Sequence, residues 1–156
     1  MKEIQVQFTL NGRAAALTTN PNRTLLDVLR DDLGLTGAKD ACGGEGECGA
    51  CTVIMNGRPV NSCLVFIGQV DGQRVTTIEG ITPREGYHPI QKAFVEAGAV
   101  QCGYCTPGAV LAVKALLDEN PQPTDREIRQ ALSKRKVIRK KQQTDITRAE
   151  LTNRSN

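Results

Sequence analysis

Tryptophan is absent from this 156-residue chain, and aromatic residues make up only 3% of it. Any core must therefore be built from Val, Ile, Leu and Ala. If the chain divides into two domains, each core is thin, and small domains of that kind recruit metals or disulfides. Long apolar runs are missing too. The most apolar stretch, Ala109 to Leu117, is nine residues long and contains Lys114, far short of the roughly 20 residues of a membrane span. The opening MKEIQVQFTLNG alternates polar with apolar residues and does not resemble an apolar targeting segment, so a cytoplasmic location is expected. Only one histidine, His88, is present, and its place before Pro89 suits a helix entry better than a ligand. No paired carboxylates, nucleophile–base pair or phosphate-cradling loop is evident, which excludes substrate chemistry by this chain itself.

What the chain does have is cysteine and glycine in one place. The stretch from Ala41 to Cys51 reads ACGGEGECGAC, three cysteines with no bulky side chain between them. The full spacing is Cys42-x5-Cys48-x2-Cys51-x11-Cys63, then Cys102-x2-Cys105 after a long gap. In a reducing compartment such thiols point to metal or redox chemistry before disulfides. Plant-type iron–sulfur clusters use three thiolates in one loop and a fourth farther on. Glycines let the backbone curl so that its N–H groups face the cluster sulfurs. Four cysteines also suit tetrahedral zinc, but zinc sites more often show two separated pairs, so the three-plus-one arrangement favours iron and sulfide. Glu45 and Glu47 are read as a solvated loop face, and Tyr104 as a packing residue.

Along the chain, Ile4, Val6 and Phe8 alternate with polar residues, the period of a half-buried strand. Asn11-Gly12 and Asn56-Gly57 each separate two strand-like runs, the signal of a two-residue hairpin. Thr24 opens a helix whose apolar residues run from Leu25 to Leu33, ended by Gly34. Arg74 to Ile78 reads as a last strand. Beyond it, Gln91 to Ala97 is a short helical run. Thr106 is the expected N-cap of a longer helix, with Pro107 in first position. Thr124 and Glu127 form a capping box for another helix reaching Leu132. The chain is thus expected to be α+β over residues 1–79 and all-helical over 80–133, with a basic, disordered tail at 134–156.

The segments KDACGGEGECGACTVIMNG with Cys63, and AVQCGYCTPG, resemble the small iron–sulfur subunit of the molybdenum hydroxylases, the xanthine dehydrogenase, aldehyde oxidoreductase and nicotinate dehydrogenase relatives. The likeness runs from about residue 3 to residue 133. It implies an N-terminal ferredoxin-like β-grasp domain with one [2Fe–2S] cluster and a C-terminal four-helix bundle with a second. It also implies an electron relay from a molybdopterin-binding large subunit to an FAD-binding medium subunit. Carried over by position, Cys42, Cys48, Cys51 and Cys63 match the first cluster, Cys102 and Cys105 match half of the second, and Gln101 matches a glutamine beside the pterin. Cys102 and Cys105 also precede a helix N-terminus, whose dipole favours an anionic group.

Two departures stand against that pattern. Five residues separate Cys42 from Cys48 where the plant-type pattern has four; the loop glycines can absorb the extra one. More seriously, family members continue G-N-x-C-R-C-T-G-Y after the last helix, whereas this chain reads SKRKVIRKK from Ser133. Val137 and Arg139 stand where two cysteines are expected, and no cysteine follows Cys105. Four cysteines of one chain therefore cannot hold a second cluster, and a shift of reading frame near codon 133 is the preferred explanation. Residues 134–156 carry eight Lys and Arg against two acidic residues. Without interleaved aromatics, that charge is read as solvated surface rather than a nucleic-acid contact. Two rival functions remain: a zinc-stabilised binding module whose basic tail contacts nucleic acid, and a free-standing [2Fe–2S] ferredoxin.

Overall fold

The computed structural model describes residues 3–133; the basic tail, the expected frame shift, and Val137 and Arg139 lie outside the described residues. Strands β1 (Ile4–Leu10) and β2 (Arg13–Thr19) pair antiparallel, from Ile4 opposite Thr19 to Leu10 opposite Arg13. Their hairpin closes through Asn11 (φ 51°) and Gly12 (φ 78°), both left-handed, as a type I′ turn demands. Strands β3 (Thr52–Met55) and β4 (Arg58–Asn61) repeat this with Asn56 (φ 49°) and Gly57 (φ 83°). Strand β5 (Arg74–Thr76) fits between the hairpins, parallel to β1 and antiparallel to β3. The sheet order is β2-β1-β5-β3-β4.

Strand β5 stops short of the expected Ile78. The side chain of Asn11 takes over there: Oδ1 accepts the Thr77 N–H at 2.8 Å, and Nδ2 donates to Thr77 Oγ1 at 3.0 Å. With its N–H engaged, Thr77 leaves the ladder, and the short helix α2 (Ile78–Ile81) follows.

The helix expected from Leu25 to Leu33 is not continuous. One α-turn, α1 (Leu25–Asp27), is followed by a π-helical turn over Val28–Asp32. Thr24 and Asp27 cap the start reciprocally, at 3.2 Å and 2.9 Å. The Leu33 N–H donates to Val28 C=O at 3.1 Å, and Gly34 (φ 66°) ends the turn. Leu25, Leu26, Val28 and Leu29 are buried, and apolar spacing alone does not distinguish the wider turn from an α-helix. They pack beneath the sheet on Val6, Phe8, Val53 and Ile67 as the first core.

The second half is helical. In α3 (Pro89–Glu96), His88 is the N-cap, its Nδ1 accepting the Ile90 N–H at 3.2 Å. Helix α4 (Thr106–Glu119) starts one residue earlier than expected: Cys105 is the N-cap and Thr106 is already helical. The Cys105 carbonyl accepts from the Ala109 N–H at 3.1 Å, which places that residue at the boundary. Helix α5 (Asp125–Ala131) carries the expected Thr124–Glu127 capping box. Ile90, Phe94, Val110, Val113, Leu117 and Leu132 form the second core. Leu111 and Ala115 of α4 pack on Ile54, so β3 is buried on both faces and joins the two halves.

Candidate metal centre

The glycine-rich loop enters β3 already folded back on itself. The Lys39 N–H donates to Ala50 C=O at 3.2 Å, and the Thr52 N–H to Gly49 C=O at 3.2 Å. Asp40 Oδ1 accepts the N–H groups of Gly43 (2.8 Å) and Gly44 (3.3 Å). From the far side, Asn61 Nδ2 donates to Gly46 C=O at 2.6 Å, and buried Ser62 donates through Oγ to Cys51 C=O at 2.7 Å. Gly44 (φ 84°) and Gly46 (φ 73°) take left-handed backbone, which a side chain would oppose. A Cβ on Gly46 would also lie 2.3 Å from Leu64 Cδ1.

This curl aims main-chain amides at sulfur. Cys42 is drawn from an ordinary pKa of 9.0 down to about 7, first by the N–H of Cys48, then by the Cys48 thiol and the N–H groups of Glu47 and Gly46. The Ala50 N–H lies 3.4 Å from Cys48 Sγ. Burial nevertheless pushes the Cys48 thiol up, and the Cys42 thiol beside it adds to the rise. Cys63 is pushed up to about 12 by burial, then by the adjacent Cys51 thiol, despite an N–H from Gly46. In a metal-free chain the raised Cys48 and Cys63 thiols hold their protons. A cation displaces them, because the thiolate is the ligand.

The structure brings the four expected thiols into two pairs. Cys51 Sγ and Cys63 Sγ are 3.3 Å apart, while the Cys42 and Cys48 thiols hydrogen-bond to each other. Among the described residues, no three His, Cys, Asp or Glu side chains gather as a single-ion site. Two neighbouring thiol pairs with main-chain amides aimed at them fit a four-thiolate, two-iron group, since soft sulfur donors suit iron–sulfur clusters.

Cys102 and Cys105 form a separate pair in the turn before α4, Cys102 exposed and Cys105 half-buried, with Gln101 exposed ahead of them. His88 is committed to its cap and supplies no third ligand there. Tyr104 is not a packing residue: it is 44% exposed, and its Oη donates to Asp40 C=O at 2.6 Å. Asp40, Asn61 and Ser62 were not legible as parts of the site. Their roles arise from contacts across the fold, and only the nearness of Asn61 and Ser62 to Cys63 gave a local signal.

Residues 8–76 match the family described as a 2Fe-2S iron-sulfur cluster binding domain, and residues 77–149 match a [2Fe-2S] binding domain. The nicotinate dehydrogenase small FeS subunit of Eubacterium barkeri is 53% identical over 133 residues, covering 85% of this chain and 84% of that protein. A probable xanthine dehydrogenase subunit of Bacillus subtilis is 44% identical, covering 85% of this chain and 76% of that protein. Among solved structures, quinoline 2-oxidoreductase from Pseudomonas putida 86 superposes with a TM-score of 0.86 at 33% identity, over 99% of this chain and 98% of that one. A ferredoxin-type sheet bearing paired thiols, a helical half behind it and this degree of likeness agree. The chain belongs to the small [2Fe–2S] subunits of the molybdenum hydroxylases, the electron-transfer components of multi-subunit oxidoreductases.

Proposed function

We propose that Cys42, Cys48, Cys51 and Cys63 ligate one [2Fe–2S] cluster, with Cys42 and Cys48 on one iron and Cys51 and Cys63 on the other. The pairing of the thiols, 3.3 Å between Cys51 and Cys63, carries this assignment. When bound, the cluster supplies one-electron carriage. The protein's part is to hold four thiolates and to aim the N–H groups of Gly46, Glu47, Cys48 and Ala50 at them. Those dipoles favour added negative charge and so tune the potential.

Within the complex, the chain stands between a molybdopterin-binding large subunit and an FAD-binding medium subunit, in the cytoplasm, as the cluster-bearing component. Gln101, exposed beside Cys102, is the contact towards the pterin. Residues 1–79 form the cluster domain, 80–133 a helical domain with an incomplete second site, and 134–156 a tail altered by a frame shift. Cys102 and Cys105 supply two thiolates where four are needed, so this chain carries one cluster and the relay is interrupted.

Four single Cys-to-Ser variants of the full chain, reconstituted with iron and sulfide, test the assignment. Changes at Cys42, Cys48, Cys51 or Cys63 are expected to abolish or visibly alter the absorption of the cluster, while Cys102→Ser with Cys105→Ser leaves it intact. Unchanged colour and iron content in Cys51→Ser would refute it.

A further inference from the structure

Asp40 and Tyr104 belong to no ligand set, yet they join the two cysteine segments. Tyr104 lies between Cys102 and Cys105, and its Oη donates to the main-chain carbonyl of Asp40 at 2.6 Å. The Lys39 ammonium sits 5.7 Å from the centre of the same ring, within the range of a cation–π contact. The carboxylate of Asp40 turns the other way, and its Oδ1 receives the N–H groups of Gly43 and Gly44 at 2.8 Å and 3.3 Å. Bonds of this charged kind are roughly twice as strong as neutral ones. The two glycines directly follow Cys42 with φ of 68° and 84°. They carry the chain to Gly46, Glu47 and Cys48, whose amides face the Cys42 sulfur.

The Cys42-x5-Cys48 loop is one residue longer than the plant-type spacing, and a longer loop has more conformations to suppress. The residue whose side chain suppresses them, Asp40, is anchored through its main-chain carbonyl from the second half of the molecule. We propose that Asp40 and Tyr104 are positioning residues for Cys42: the Asp40 carboxylate pins the Gly43–Gly44 turn, and Tyr104 fixes Asp40 from the second cysteine segment. The proposal rests on Cys42 being a ligand, as assigned above. Without the carboxylate, two N–H groups lose their acceptor, the loop opens, and the Cys42 sulfur leaves its amide donors. Iron on that side is then more easily extracted.

The test uses the full chain reconstituted with iron and sulfide, comparing wild type with Asp40→Ala, Asp40→Asn and Tyr104→Phe. Two quantities are read: the rate at which a ferrous chelator bleaches the visible absorption, and the EPR g-values of the reduced protein. Asp40→Ala is expected to bleach about tenfold faster, the scale of losing hydrogen bonds to a charged acceptor, with shifted g-values. Asp40→Asn keeps a side-chain oxygen that accepts and stays within about threefold of wild type. Tyr104→Phe, which loses one exposed hydroxyl, bleaches about threefold faster. Wild-type bleaching and g-values in Asp40→Ala overturn the proposal, and so does an Asn variant as impaired as the Ala variant. Should Asp40→Ala fail to fold, wild-type behaviour of Tyr104→Phe overturns it alone. A wild-type chain that takes up no iron overturns the ligand assignment first, and this proposal with it.

Discussion

Replacing Gly108 by alanine sets two physical effects against each other. Helix propensity by itself favours alanine in a helix by about 1 kcal/mol. Gly108 lies in the first turn of α4, however, and a Cβ there would sit 2.3 Å from the carbonyl oxygen of Gly49 and 3.3 Å from that of Ala50. Both are main-chain atoms that cannot swing aside, so α4 must withdraw by roughly 1 Å to restore ordinary contact. Overpacking of that kind costs about 1–3 kcal/mol, which outweighs the propensity gain and leaves a net loss of up to about 2 kcal/mol. For a chain of this size each kcal/mol lowers Tm by about 2–4 °C. Gly49 and Ala50 lie between Cys48 and Cys51, so the displaced helix disturbs the loop that holds the thiols. The assay is a thermal melt of the reconstituted full chain, followed by far-UV circular dichroism and by visible absorption. Tm is expected to fall by several degrees, with the visible band bleaching at lower temperature than in wild type. A higher Tm with unchanged colour would mean that propensity governs this position and that α4 does not bear on the loop.

Other consequences are simpler to measure. Leu111→Ala removes a buried side chain from the contact between α4 and Ile54 and is expected to cost about 2–5 kcal/mol in chemical denaturation; a loss below about 1 kcal/mol would contradict that contact. Glu127 is held below its ordinary pKa of 4.5, chiefly by the Thr124 hydroxyl and N–H. Its stabilising effect is therefore complete above that ordinary value and disappears as pH falls through the lowered folded pKa. Glu127→Gln should flatten this acid-side loss in a pH series of thermal melts, and an unaltered pH profile would argue against the cap. Finally, the coding DNA after codon 133, read in another frame, is expected to spell a sequence close to CRCTGY. Natural isolates that all encode KRKVIRKK in one open frame would refute the frame shift.

Sequence legibility followed the range of the interactions. The two Asn-Gly turns were readable because left-handed backbone at adjacent positions is a local demand, and the Thr124–Glu127 cap because its partners lie three residues apart. The glycine-rich cysteine loop was readable as iron–sulfur chemistry because a loop without bulky side chains has few other purposes. Other features were not. The π-helical turn at Val28–Asp32 keeps the apolar spacing of an α-helix, so periodicity cannot reveal it. Strand β5 ends at Thr76 because Asn11, 66 positions from Thr77, occupies the Thr77 N–H. Gly108 follows Pro107 at the helix start, and its close approach to Gly49 appears only when the two halves meet. Tyr104 was misjudged for the same reason, since its partner Asp40 is 64 positions away.

The central claim is that one binuclear cluster is held by two thiol pairs in the first half of this chain and that no second cluster forms in the other. Iron and sulfide analysis of the reconstituted full chain, with EPR of the dithionite-reduced protein, tests it most directly. The account predicts about two irons and two sulfides per chain and a single rhombic signal. About four irons with two distinct signals, or a colourless zinc protein, would contradict it.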